Sequence, residues 1–136
     1  MPKCRRQPVP SEPASLGLLL ISGTYERAHY AFVLAAGAAA LGRRVVLFAT
    51  NAGCTALAAE WQGLDGAAQD ATVRARGVAG LVELREAAAE LGVRLIACEA
   101  GLRIAGRDAA SLLPGVEVAG VATFLAATAG GQLLSL

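Results

Sequence analysis

Three stretches of this chain, Leu16 to Ser22, Val45 to Thr50 and Val93 to Cys98, are apolar at nearly every position instead of at alternate ones. A strand with one wet face alternates apolar and polar side chains. A strand without that alternation is covered on both faces, which in practice means a parallel sheet flanked by helices. A weaker run, Val116 to Val121, and a short terminal one, Leu133 to Leu136, complete a set of five expected strands.

Helical patterns fill the gaps. Over Gly77 to Leu91, Leu81, Leu84, Ala88 and Leu91 repeat at helical spacing, Glu83, Glu86 and Glu90 fall on the other side, and Gly92 ends the run. Glu26 to Leu41 behaves differently, because AHYAFVLAAGAAAL is apolar nearly all round. Such a helix is buried on more than one side, and in so short a chain a neighbouring subunit is the expected second cover, making a homo-oligomer. From Cys54 to Arg76 the periodicity fades into a connection far longer than the about 2–6 residues usual between strand and helix. It leaves the carboxyl end of the second strand, where ligands gather in open α/β sheets, so Ala52 to Arg76 reads as an exposed excursion, a docking surface or lid. The order β-α-β-loop-α-β-α-β-α-β predicts an α/β fold, a single-domain three-layer sandwich with a mostly parallel five-stranded sheet. The domain spans residues 15–136, preceded by a disordered, Pro-rich tail over 1–14.

The 136 residues suffice for one domain with a real core. Apolar residues form 55% of the chain and charged ones 17%, so either the interior is large for the length or other copies cover some apolar surface. Lys3, Arg5 and Arg6 concentrate positive charge in the tail, and no basic stripe or set of stacking aromatics remains, so nucleic acid is not an expected partner. The apolar run behind Pro8, Pro10 and Pro13 is too short for a signal-peptide core. Ala28 to Leu41 and Val118 to Leu134 are too rich in Ala and Gly for a membrane span. Cys4, Cys54 and Cys98 are an odd number at wide spacing, which indicates no disulfide framework and a reducing, cytoplasmic setting.

Cys98 is the first candidate for chemistry. It ends the third expected strand, and Glu99 to Ile104 starts a helix that Gly106 stops. A thiol at a helix start meets unpaired N–H groups and the positive end of the peptide dipoles, which favour thiolate. Arg103 and Arg107 add positive charge and Glu99 opposes it. Free cysteine is also among the most buried residue types and suits a strand end, so the residues alone leave catalysis and packing both open. Cys54, after FATNAG at the end of the second strand, points to the same sheet edge and allows a two-thiol site, one attacking and one resolving. His29, the sole histidine, sits one turn into the first helix as a candidate proton donor or acceptor. Cys4 reads as an incidental thiol of the tail. No Cys-x-x-Cys pair supports a zinc site, no glycine-rich phosphate loop or Gly-x-Gly-x-x-Gly signals a nucleotide cofactor, and no Gly-x-Ser-x-Gly elbow signals a hydrolase. Neither metal nor cofactor is expected.

Four stretches taken in order carry a resemblance: SGTYERAHYAFVLAAGAAALGRRVVLFAT (Ser22 to Thr50), ELGVRLIAC (Glu90 to Cys98), GLRIAG after that cysteine, and LLPGVEVAGVATFL (Leu112 to Leu125). From about Leu16 to its end the chain resembles the DsrE-like family, the DsrE/DsrF/DsrH and TusD-type sulfur-relay proteins, in the branch labelled peroxiredoxin-like. The resemblance implies a Rossmann- or flavodoxin-like sandwich in homo- or hetero-oligomers, with sulfur carried as a persulfide on the cysteine that ends the third strand, here Cys98. It implies a sulfur carrier, a possible sulfurtransferase more than a full catalyst, whose partners are other sulfur-transfer proteins as donor and acceptor. Cys54, His29, Glu99 and Arg103 are then candidates for supporting roles. No Thr-x-x-Cys loop is present to support peroxidase chemistry. The alternative is a small-molecule or anion-binding regulatory oligomer using the same sheet edge, with Cys98 merely packed.

Overall fold

The continuous apolar runs form the central strands of a parallel sheet. In the computed structural model of the protein, which describes residues 13–136, they are β1 (Leu16–Leu20), β2 (Val45–Ala49) and β3 (Arg94–Cys98), with β4 (Glu117–Ala119) and β5 (Gln132–Ser135) at the edges. Strand order is β4-β3-β2-β1-β5 and every pairing is parallel. The register sets Leu18 beside Leu47 on one side and Leu134 on the other, and Leu47 beside Leu95. The expected tail lies outside the described residues except for Pro13 and Ala14, and Cys4 lies outside them with it.

Side-chain alternation splits the interior in two. Leu16, Leu18, Leu20, Val45, Leu47, Ala49, Leu95 and Ala97 point to one face and join the larger apolar cluster. Val46, Phe48, Ile96 and Cys98 point to the other, where the one buried helical residue among those described is Phe124. The larger face is covered by α1 (Tyr25–Ala40), α3 (Leu81–Glu90) and Leu102 of α4 (Glu99–Ile104), with Val73 of α2 (Gln69–Ala75) at its border. The smaller face is covered by α5 (Val121–Ala127), anchored by Phe124 stacked on Phe48 with ring centroids 4.8 Å apart. This unequal division follows from handedness. Strands β1 to β4 step across the sheet in one direction, so right-handed crossovers put all their helices on one face. The last connection runs back from β4 to β5 past the other three strands, which puts α5 opposite.

Helix α1 starts at Thr24, whose Oγ1 accepts from the Arg27 N–H at 3.4 Å. It buries Tyr25, Ala28, Ala31, Phe32 and Ala35, half-buries most of its other small residues, and leaves Gly37 and Ala40 exposed.

Three expectations are corrected. The helix expected over Gly77 to Leu91 begins only at Leu81, because Gly77 turns in the left-handed region at φ 79° and Gly80 is extended. Its apolar repeat ends early as well, since Leu91 is exposed and Arg85 takes a place on the buried stripe between Leu81 and Ala88. The excursion Ala52 to Arg76 is not exposed along its length. A 3-10 turn over Asn51–Leu57 carries Cys54 to Leu57 into the core, Trp61 and Leu64 follow, and short β-bridges join Ala58 to Leu112 and Thr24 to Asp65. The apolar side chains in an otherwise polar run anchor it, leaving Gln62, Gly63 and most of 65–76 at the surface. Among the described residues no helix is long and apolar enough to cross a membrane.

Candidate functional site

The carboxyl ends of β1, β2 and β3 lie at one edge of the sheet, where β2 runs into the 3-10 turn and β3 into α4. Cys98 is the junction of β3 and α4. Its backbone is still extended (φ −66°, ψ 124°), so it is the N-cap of α4, and its Sγ accepts the otherwise unpaired N–H of Gly101 at 3.4 Å. Cysteine here occupies the place usually held by serine, threonine or aspartate. The residue is 8% exposed and its side chain packs with the Phe48–Phe124 pair.

α4 comes this close to the end of β2 because residue 101 lacks a side chain. A Cβ on Gly101 would overlap the Thr50 Oγ1 and the Asn51 nitrogen. Asn51 itself stands at φ 53°, the sole non-glycine residue with positive φ among the described ones, and so turns the chain out of β2 into the 3-10 turn. Asparagine tolerates that conformation better than other residues with a side chain, so the turn forms at the sheet edge beside the capping thiol.

Cys54 occupies the same corner from within. It is fully buried, its thiol donates to the Ala49 carbonyl at 3.6 Å, and it belongs to the larger apolar cluster. Burial pushes the thiol up to about 11, with neighbouring Cys98 acting in the same direction, while Arg107 and the backbone N–H groups of Cys98 and Cys54 pull it down. Cys54 is therefore a neutral thiol at ordinary pH. The Cys54 thiol feels both the charge and the backbone N–H of Cys98, while the two side chains belong to different apolar clusters. The structure thus brings Cys54 and Cys98 to one corner.

The remaining candidates are placed as follows. Glu99 and Arg103 pair with each other across one turn of α4, Nη2 to Oε1 at 3.1 Å, both largely exposed. Arg107 reaches back to donate from Nη2 to the Thr55 Oγ1 at 3.0 Å and lines a cleft of about 490 Å³ with Glu60, Gln62 and Ser111. His29 turns elsewhere: its Nε2 is 2.8 Å from the Ala79 carbonyl, the ring stacks on Tyr25 at 5.4 Å, and both hold the loop before α3.

That neighbourhood contains a group the sequence did not single out. Asp70 is buried and accepts from the Tyr25 hydroxyl at 2.6 Å, the Leu81 N–H at 2.8 Å and Arg74 Nε at 3.0 Å. Burial opposes its charge, yet these three donors outweigh burial and hold the carboxyl below its usual range. By taking the Leu81 N–H, Asp70 caps α3 from 11 residues away, which no local pattern reveals. The one sequence signal for Arg85 was a cation at a position of the buried helical stripe.

The sequence profile of the DsrE/DsrF/DrsH-like family matches residues 57–134, which include Cys98 and all of α4. Among solved structures, the chain is similar to the ychN protein from E. coli, at 15% identity and a TM-score of 0.69. It is also similar to MTH1491 from Methanobacterium thermoautotrophicum, a protein of unknown function, at 20% identity and a TM-score of 0.57. Both alignments cover 90% of this chain and 99% of the other. At these identities the likeness is one of fold. No curated protein matches the chain.

Proposed function

This chain belongs to the DsrE/DsrF/DrsH-like family, and from that premise we propose that it is a sulfur-relay protein that carries sulfur as a persulfide on Cys98. The observation that supports this reading best is the capping geometry: within the family-matched segment, Cys98 closes β3 and its Sγ accepts the Gly101 N–H at 3.4 Å. A sulfur with a fixed donor and an apolar wall is held in one orientation at the sheet edge.

The chemistry is thiol–persulfide exchange. The Cys98 thiolate attacks the outer sulfur of a donor persulfide, the donor's S–S bond breaks, and the donor leaves as thiolate while Cys98 becomes the persulfide. An acceptor thiolate then attacks that outer sulfur and Cys98 leaves as thiolate. Electrons balance in both steps without an external oxidant, so the protein acts as a carrier between other sulfur-transfer proteins and not as a full catalyst. Exposed α4, with Glu99 and Arg103, forms the approach. A reducing compartment such as the cytoplasm suits a thiol that must reload. In our reading the carrier is a homo-oligomer, because Val121, Leu125 and Leu133 lie half-exposed on the face that α5 alone covers.

Brief exposure of the reduced protein to polysulfide, followed by peptide mass spectrometry, tests the proposal. One extra sulfur atom is expected on Cys98, lost in Cys98→Ser and kept in Cys54→Ser. An unmodified Cys98 beside a reacting Cys54 or Cys4 would overturn the persulfide reading.

A further inference from the structure

Arg85 is the only buried cation among the described residues, and its position is unusual. It sits on the inward stripe of α3 between Leu81 and Ala88, with 7% of its surface exposed. Nη1 donates to two backbone carbonyls, Ala58 at 2.6 Å and Ala56 at 3.2 Å, and these are its only hydrogen bonds among the described residues. Nε is buried without a partner. No carboxylate of the described residues pairs with it; Glu86, its neighbour in sequence, is exposed. The two carbonyls satisfy one corner of the guanidinium and leave it without an ion-pair partner, the nearby Glu86 charge only partly offsetting burial. Burial accordingly pushes the Arg85 pKa down.

Arg85 also lines a cavity of about 190 Å³. It is lined besides by Val82, Ala89, Leu95, Leu113 and Pro114, all apolar, and by Glu86. With Nη1 committed to Ala56 and Ala58, the part of the guanidinium left for a ligand is the Nε–Nη2 edge. That edge is the fork which fits a carboxylate with two parallel hydrogen bonds once the side chain turns toward it.

From this geometry we infer that the cavity binds a small monocarboxylate with an apolar body, held through the free edge of Arg85. The ligand's single carboxylate supplies the ion-pair partner that Arg85 lacks among the described residues. A second charge on the ligand, as in a dicarboxylate or phosphate, meets Glu86 and the apolar walls without a partner. The volume equals that of roughly six waters at ~30 Å³ each, room for a short branched or aromatic acid and too little for a nucleotide. The cavity borders Leu95, near the start of β3, and so is separate from Cys98 at the end of that strand; the inference does not depend on persulfide chemistry.

The test is a titration of the full-length, isotope-labelled protein with sodium benzoate, followed by NMR of arginine Nε–H and backbone amides, with benzyl alcohol and inorganic phosphate as controls. Saturable shifts are expected at Arg85 Nε–H and at Val82 and Leu113, with both controls at least about tenfold weaker, as the loss of a charge-assisted bidentate pair requires. Arg85→Met removes the clamp on Ala56 and Ala58 together with the charge, so the deciding variant is Val82→Phe. That side chain is 44% exposed, and a ring there fills the cavity while leaving Arg85 in place. It should weaken benzoate at least about tenfold. Absence of saturable shifts, shifts centred on another cation such as Arg107, phosphate binding as tightly as benzoate, or undiminished binding by Val82→Phe would each overturn the inference and leave Arg85 as a clamp on two carbonyls.

Discussion

At the scale of single residues, the two described cysteines divide the work that one corner of the sheet allows. Cys98 caps a helix through its sulfur and stands 8% exposed, whereas Cys54 is sealed in the larger cluster with its thiol on a backbone carbonyl. Burial keeps Cys54 neutral to about pH 11 in the folded chain, against a usual 9.0 once unfolded. Its folded pKa is raised, so its contribution to stability is complete below pH 9 and is lost as pH climbs to about 11. Urea unfolding across that range should show the wild type losing about 2 kcal/mol relative to Cys54→Ala, the two curves running parallel below pH 9. Parallel curves throughout would mean that Cys54 titrates normally. Sequence reading found both cysteines because strand ends are legible. It placed His29 at the same edge, and the structure ties that ring to Ala79 and Tyr25 instead, a matter of which way one helix face turns.

Between elements, the site depends on a close approach that one glycine permits. Helix α4 lies against Thr50 and Asn51 because Gly101 has no Cβ to fill that gap, and this contact sets where Gly101 offers its N–H to Cys98. Gly101→Ala should therefore destabilise the fold by about 2 kcal/mol through overpacking and lower persulfide loading of Cys98 in the polysulfide assay, while Ala100→Ser, at the exposed neighbouring position, should do neither. Loading unchanged in Gly101→Ala would show that the cap does not position the sulfur. The excursion after β2 teaches the same lesson in reverse. Its fading periodicity suggested an exposed flap, yet Cys54, Leu57, Trp61 and Leu64 pin it to the core, because four apolar side chains without regular spacing still bury when the topology offers them a wall.

For the whole molecule, strand order makes the two faces unequal. Phe124 and its neighbours cover the smaller face, and outside them Val121 at 54%, Leu125 at 52% and Leu133 at 49% exposure leave apolar surface to water. If a second copy covers this surface, multi-angle light scattering should report an oligomer for the wild type and a monomer for the Val121→Glu, Leu125→Glu pair, since two carboxylates cannot be buried there unpaired. A monomeric wild type at micromolar concentration would sink the homo-oligomer.

The sequence by itself determined the fold class, the five strands, the parallel sheet and the place of Cys98 at the end of β3, because continuous apolar runs and strand-ending residues are local, one-dimensional signals. It also pointed to the family through motifs quoted in order along the chain. Tertiary structure alone decided that the two cysteines pack in different apolar clusters, that Asp70 caps α3 from across a loop, and that Arg85 lies buried beside a cavity with no carboxylate paired to it. These pairings join residues 11 to 45 positions apart. Their energies arise from desolvation and direction in the packed chain, quantities that exist only once the layers have closed.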